Sequence, residues 1–207
     1  MLVAFLLRRD DARGGPPPPD ERDARLRRFG MLLFLASLTT LFAPLLIYML
    51  ILRAQAPSWP PPGSPPLPLG LALSTALLIG VSFCMTRAVQ AARGRRARPL
   101  RRALLAATGL AFAFVLSQAL CWAEFLGAAS TAAAWRYVGF FYIFTALHAL
   151  HVIGGLAPLL VVLLRAARRP PAAVSGDSVR FCAMYWHFID GVWLVILAAA
   201  AWPGRAV

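Results

Sequence analysis

Between Arg136 and Arg165 the sequence holds one long apolar stretch, Val138–Leu164, which reads VGFFYIFTALHALHVIGGLAPLLVVLL. The stretch contains no arginine, lysine, aspartate or glutamate. A helix needs about 20 apolar residues to cross the hydrocarbon core of a bilayer. This segment therefore predicts a transmembrane helix that carries two histidines, His148 and His151, at membrane depth.

Four other stretches are long and apolar enough for the same interpretation, and none has an arginine in its interior. They are Phe29–Leu52, Leu67–Met85, Ala103–Trp122 and Phe181–Trp202. Of the 207 residues 60% are hydrophobic, and the mean hydropathy is +0.69. A water-soluble domain of this size is not that apolar. We expect an all-α fold, a polytopic membrane protein with five transmembrane helices.

The arginines indicate how these helices are oriented. Eighteen of the 21 lie before the first apolar stretch, around Arg87–Arg102, or between Arg165 and Arg180. The other three are Arg53, Arg136 and Arg205. Because basic residues are retained on the cytoplasmic side of a membrane, we predict a cytoplasmic amino terminus and a periplasmic carboxyl terminus. The expected location is the inner membrane of a bacterial cell.

The same pattern predicts the domain organisation. Residues 1–28 form a cytoplasmic arm rich in arginine and proline, residues 29–202 form the membrane domain, and residues 203–207 form a periplasmic tail. A net charge of +13 would suit a nucleic-acid-binding protein if the arginines covered one folded face. They are instead divided among segments between apolar stretches, so we expect no nucleic acid partner.

A few polar residues lie inside the apolar stretches, where such groups are functional candidates by default. His148 and His151 are three residues apart on the fourth helix, and His187 and Asp190 repeat that spacing on the fifth. At a rise of about 1.5 Å per residue, His151 and His187 lie at similar depths. A hydrogen-bonded cluster between the two helices is therefore geometrically allowed. Gln118 lies near the outer end of the third helix.

Three interpretations of that cluster compete. A metal or haem site would need further ligands and an open approach, and a proton relay would need titratable groups that reach both surfaces. The third interpretation, side chains that pair across helices and fix their packing, suits the small number of polar residues best. Gly154 and Gly155 follow the histidines and predict close helix packing.

Two motifs resemble subunit III of the haem-copper respiratory oxidases: FFYIFTALHALHVIGGL at Phe140–Leu156 and YWHFIDGVWL at Tyr185–Leu194. The segment LPLGLALSTALLIGVSF, which includes Ser74, Thr75 and Ser82, is similar to a leucine-rich helix of the same family. The resemblance extends over about residues 29–202 and matches the short, five-helix form of the family.

The resemblance implies a subunit that has no catalytic residue and binds no haem, copper or other metal. It implies partners in subunit I and subunit II of the oxidase, bound phospholipid, and a role in sustaining proton uptake. His148, His151, His187, Asp190 and Trp193 match family motif positions, and with Gln118 they form the expected polar network between helices. On the third helix the family often has a glutamate where this chain has Cys121, which puts any role of that carboxylate in doubt.

We therefore predict a non-catalytic subunit of a terminal oxidase that reduces dioxygen with electrons from cytochrome c or quinol. The first alternative is the related subunit III-like component associated with nitric oxide reductase. The second is a stand-alone membrane transporter, which would need intramembrane charges along a path. The sequence leaves open the electron donor, the lipid species and the role of the proline-rich arm.

Overall fold

The computed structural model describes residues 19–67, 69–125, 131–168 and 176–201. These residues form helices and no strand: α1 Pro19–Gln55, α2 Gly70–Arg93, α3 Ala97–Phe125, α4 Ala132–Arg168 and α5 Gly176–Ala201. All five contain a span that is long and apolar enough to cross a membrane. The predicted all-α fold with five transmembrane helices is confirmed. The predicted tail, 203–207, and the start of the arm, 1–18, lie outside the described residues.

The helices extend beyond the apolar stretches that predicted them. Helix α1 begins at Pro19, inside the predicted arm, and α4 continues through Arg165 to Arg168. An apolar stretch marks only the part of a helix inside the hydrocarbon, whereas backbone hydrogen bonding continues into the polar layer. Proline suits the first position of a helix because its missing N–H has no partner there in any case.

Four of the helices pack in a closed order. Helix α2 packs against α3 and α5, and α4 packs against α3 and α5. Hydrogen bonds link Trp122 of α3 to Thr145 of α4 and Arg101 of α3 to Ala166 of α4, so these two helices run antiparallel. Helix α5 consequently lies between α2 and α4, and α4 and α5 bear most of the candidate residues.

The interior of this group is aromatic and aliphatic. Its largest fully buried side chains include Trp186 and Trp193 of α5 and Phe114 of α3. Large apolar side chains also face outward, such as Phe83 at 63% exposure and Leu116 at 64%. Outward apolar residues in this number are typical of helices whose solvent is lipid.

The chain divides into two units, 1–38 and 39–207, with the boundary inside α1. The described part of the first unit is the amino-terminal portion of α1. In the second unit, Phe42 and Met49 of α1 pack with Phe144 of α4 and Ile196 of α5. All polar residues that the sequence singles out belong to this second unit.

Candidate functional site

Trp193 of α5 is joined to α2 through a threonine hydroxyl. Its indole Nε1–H donates to Oγ1 of Thr75 at 3.1 Å, and the Thr75 hydroxyl donates to the carbonyl of Leu71 at 2.7 Å. The hydroxyl therefore accepts from a neighbouring helix and donates within its own. We call this arrangement a hydroxyl bridge. It satisfies the indole N–H of a fully buried tryptophan.

His187, also on α5, makes a second hydroxyl bridge to α2. Its Nδ1 lies 3.0 Å from Oγ of Ser82, and its Nε2 lies 3.4 Å from Oγ1 of Thr86. The Thr86 hydroxyl donates its proton to the carbonyl of Ser82 at 3.0 Å, so it accepts from Nε2. In the tautomer that carries its proton on Nε2, Nδ1 accepts from the Ser82 hydroxyl. An exposed histidine at this depth thus has both nitrogens bonded within the chain.

The third hydroxyl bridge in the described part of the chain joins α3 to α4. Nε1–H of Trp122 donates to Oγ1 of Thr145 at 2.9 Å, and the Thr145 hydroxyl donates to the carbonyl of Phe141 at 2.7 Å. The hydroxyl of Tyr142 donates in turn to the carbonyl of Trp122 at 2.6 Å. In the sequence Trp122 marks only the end of an apolar stretch, and its hydrogen bond was not predicted. The sequence feature that could have indicated this bond is Thr145, a hydroxyl group in the middle of an apolar helix.

His148 is held by rings and has no hydrogen bond. Its side chain is 0% exposed, with its centroid 4.9 Å from the Trp193 ring and 5.7 Å from the Phe114 ring. Both of its nitrogens are buried without a hydrogen-bond partner. Both amide atoms of the fully buried Gln118, and Oδ1 of Asp190, are in the same state. Of the predicted polar network, the structure brings His148 and Trp193 into direct contact.

His151 bonds within its own helix, since its Nδ1–H donates to the carbonyl of Leu147 at 2.7 Å. The hydroxyl of Tyr185 on α5 donates to the backbone carbonyl of His151 at 2.7 Å. The hydrogen bonds therefore differ from the predicted pairing of the α4 histidines with His187 and Asp190. Equal depth along two helices does not make two side chains point at each other.

The two adjacent glycines of α4 have different surroundings. A Cβ added at Gly155 would lie 2.5 Å from Cε1 of Tyr185, so only glycine allows the tyrosine ring to lie against this backbone. A Cβ added at Gly154 would meet nothing within 4 Å, and that residue is exposed. Close packing within the chain is thus found at Gly155, whereas Gly154 faces outward.

Cys121 of α3, at the position where the resemblance leads us to expect glutamate, is buried against the start of α2. A Cβ at Gly70 would lie 2.5 Å from its Sγ, so the thiol lies against the first turn of that helix. Glu124, one turn further along α3, is exposed. Its carboxylate does not occupy the interior position of the family's glutamate.

No three His, Cys, Asp or Glu side chains in 19–67, 69–125, 131–168 and 176–201 come close enough to share a metal ion. The His148 ring packs against the rings of Phe114 and Trp193. The described side chains therefore do not gather the three or more ligands that a zinc-type site uses.

A groove of about 440 Å³ lies between α1, α4 and α5 in the second unit. Its walls are mostly apolar, with His187 and Thr39 as the polar residues among them. Phe42 and Leu46 line it from α1, and Val195 lines it from α5. The groove has the size and polarity of a binding site for a hydrocarbon chain.

Comparison with known proteins places these helices in one family. Residues 24–205 match the family model described as cytochrome c oxidase subunit III. Cytochrome c oxidase subunit 3 of Synechocystis sp. is 33% identical over 175 residues, which are 83% of this chain and 73% of that protein. Probable cytochrome c oxidase subunit 3 of Nocardia farcinica is 31% identical over 173 residues, 82% of this chain and 84% of that one. The subunit 3 of Madoqua guentheri is 31% identical over 185 residues, with coverages of 86% and 69%.

Proposed function

This chain belongs to the cytochrome c oxidase subunit III family, and on that basis we propose that it is the non-catalytic subunit III of a respiratory haem-copper terminal oxidase. Such a complex reduces dioxygen to water in aerobic electron transport. The observation that carries the proposal is the family match, which includes all five membrane helices. Neither nitric oxide reductase nor a transporter is favoured by relatives named as oxidase subunits.

The geometry supports an accessory role. Trp193 and His187, which lie in the motif of α5, are engaged in hydroxyl bridges to α2. Groups bonded in this way hold helices in register and are not free to ligate a redox centre. Electron transfer then takes place in the partner subunits, and the haem and copper belong there.

We expect subunit I as the direct partner, subunit II in the same complex, and the bacterial inner membrane as the location. The arginine distribution supports a cytoplasmic amino terminus and a periplasmic carboxyl terminus. Large apolar side chains on the outer faces of α3 and α4, such as Leu116 and Leu150, offer surface for a neighbouring helix or lipid.

Affinity purification of the tagged chain from its native membrane tests this assignment. We expect a complex that contains a haem-bearing subunit I, identified by mass spectrometry and by its absorbance, and that consumes dioxygen. Recovery with a nitric oxide reductase would support the first alternative instead. Recovery of the chain alone, with solute flux after reconstitution, would reject the oxidase assignment.

The groove between α1, α4 and α5 further supports bound phospholipid, with an acyl chain against Phe42 and Val195. Gly191 lines this groove, is exposed, and has nothing within 4 Å of an added Cβ. Gly191→Leu should therefore fill the groove without disturbing the helices. We expect fewer phospholipids per complex in an extract of the purified variant.

Gly109→Leu is the matched control, because Gly109 of α3 is equally open and does not line the groove. Its phospholipid content should equal that of the wild type. An unchanged lipid content in Gly191→Leu would show that the groove holds no acyl chain.

A further inference from the structure

The turn between α2 and α3 carries an unusual density of positive charge. We define the basic turn as residues 93–102, a segment with six arginines and no acidic residue. Five of these arginines are exposed, and Arg101 is half-buried. No ion pair to a carboxylate is formed by these side chains within the part of the chain that the structure describes. The turn connects two apolar spans, so its arginines lie where a membrane surface meets the helix ends.

Some of these charges have a role inside the chain. Nε of Arg101 donates to the carbonyl of Ala166 at 2.6 Å, near the carboxyl end of α4. Arg93 lies in the last turn of α2, where a cation is favourable beside the free carbonyls. The bond from Arg101 also brings the exposed Arg165 and Arg168 of α4 to the same end of the helices.

Arg98 and Arg102 have no such role. They lie in the first turns of α3, which has no acidic residue in its first turn, and the amino end of a helix repels cations. They are also four residues apart on one helix face, so they repel each other. Both are exposed. Their placement is unfavourable for the isolated chain and becomes favourable when an anion is present.

Arg95 has a backbone conformation that arginine rarely adopts. Its φ is +51°, in the left-handed region that favours glycine or asparagine. The neighbouring Gly94 has an ordinary φ of −79°. The chain thus has arginine where asparagine or glycine would be easier to accommodate. Its side chain is exposed, and the residue lies two positions before the start of α3.

We propose that the basic turn binds the phosphate groups of anionic phospholipids, with Arg95, Arg98 and Arg102 as the main contacts. Guanidinium groups bind phosphate through paired N–H donors, and clusters of four to eight basic residues beside a membrane helix typically recognise anionic lipid. The lipid is the favoured source of phosphate because the turn joins two membrane spans. This site is separate from the apolar groove and does not depend on the oxidase assignment.

The test uses the full chain in nanodiscs of phosphatidylcholine, titrated with phosphatidylglycerol and measured by native mass spectrometry. Arg95→Asn keeps a residue that tolerates the left-handed backbone, so this variant should fold as the wild type does. We expect its affinity for phosphatidylglycerol to fall about fivefold, as for one arginine near an anionic surface. The double variant Arg98→Gln, Arg102→Gln should bind phosphatidylglycerol about twenty-five-fold more weakly, because each lost arginine reduces the affinity about fivefold.

Arg136→Gln is the matched control, since Arg136 is an exposed arginine near the opposite end of α4. It should leave the affinity unchanged. Equal losses in Arg136→Gln and Arg95→Asn would show that binding follows net charge alone and would overturn the proposal, as would wild-type affinity in Arg95→Asn.

Inorganic phosphate, added to nanodiscs of pure phosphatidylcholine, distinguishes the two sources of phosphate. We expect no saturable binding of the free ion at millimolar concentration; binding as tight as that of phosphatidylglycerol would reject a lipid site. Arg95→Gly adds a second measurement, because it relieves the backbone: thermal stability in phosphatidylcholine should rise while lipid affinity falls. If instead these variants keep their lipid affinity and lose partner subunits on purification, the turn is a protein contact and the proposal is wrong.

Discussion

Helix α5 is held in two different ways by the helices on its two sides. Toward α2 the contact is hydrogen-bonded, with Trp193 donating to Thr75 and His187 bonded to two hydroxyl groups. Toward α4 it is mainly steric, with the Tyr185 ring against Gly155. The first kind of contact should fail when a hydroxyl is removed, and the second when an atom is added.

His148 of α4 is a polar residue, but it is held by packing and not by hydrogen bonds. It packs on Trp193 and Phe114, and its nitrogens have no partner. His148 therefore shows that a histidine at membrane depth can be held by ring packing, whereas His187 is held by hydrogen bonds. Substitutions on the two sides of α5 make this difference measurable.

The largest effect should follow from Gly155→Val. Its Cβ would lie 2.5 Å from Tyr185 Cε1 and would displace a ring that is also bonded to His151. Overpacking of this kind costs about 1–3 kcal/mol, and loss of the tyrosine hydrogen bond adds about 1 kcal/mol. Thermal unfolding of the purified complex should show this loss of stability as a lower unfolding temperature. Gly154→Val, one residue away, has an open position and should change stability far less; equal loss in both would mean that the α4–α5 fit at Gly155 is not special.

Thr75→Val should come next. It preserves the shape of the side chain but leaves the buried indole N–H of Trp193 without an acceptor, which costs about 1–3 kcal/mol. Denaturant unfolding in mild detergent measures this change. Thr108→Val is the control, because the Thr108 hydroxyl donates to Leu104 within α3 and bridges to no neighbouring helix. If Thr108→Val destabilised the protein as much as Thr75→Val, the hydroxyl bridge would contribute nothing of its own.

Ser82→Ala should have a smaller effect. It removes the donor to Nδ1 of His187, while Nε2 remains bonded to Thr86. Hydrogen bonds between membrane helices are worth about 0.6 kcal/mol on average. The imidazole resonances in an NMR spectrum of labelled protein should show altered tautomer populations in the variant. Unchanged resonances would contradict the assignment of Nδ1 as the acceptor from Ser82.

His148→Leu should have the smallest effect of the series. Leucine loses the ring contact with Trp193, worth about 0.5–1.5 kcal/mol, but removes two buried polar atoms that have no partner. The two terms oppose each other, so we expect a net change smaller than the roughly 0.6 kcal/mol expected for Ser82→Ala. A loss well above that, measured by the same denaturant method, would show that the imidazole has a hydrogen-bonded role.

The sequence predicts the membrane helices well because hydropathy depends on residues adjacent along the chain. It also placed His151 and His187 at similar depths, since depth follows from the rise per residue. It did not predict which way each side chain points. That depends on how each helix is rotated about its axis, which the packing of Trp193, Phe114 and Gly155 decides together.

The hydroxyl bridges could not be predicted for a related reason. Thr75 and Thr145 bond to their own backbone, as threonines in membrane helices commonly do, so nothing local marks them as acceptors for tryptophan. Their partners are 118 and 23 residues away in sequence. Both threonines lie in segments that resemble the family, Thr75 in LPLGLALSTALLIGVSF and Thr145 in FFYIFTALHALHVIGGL, but neither motif indicates which side chain the hydroxyl bonds.

The visible spectrum and metal content of the chain, separated from its purified complex, test the central claim most directly. Polar side chains that pack helices together leave no ligands for a redox centre, so we predict no Soret absorbance and no bound copper in the separated chain, with both present in the remaining subunits. Stoichiometric haem or copper on this chain, lost on substitution of His148, would contradict the account.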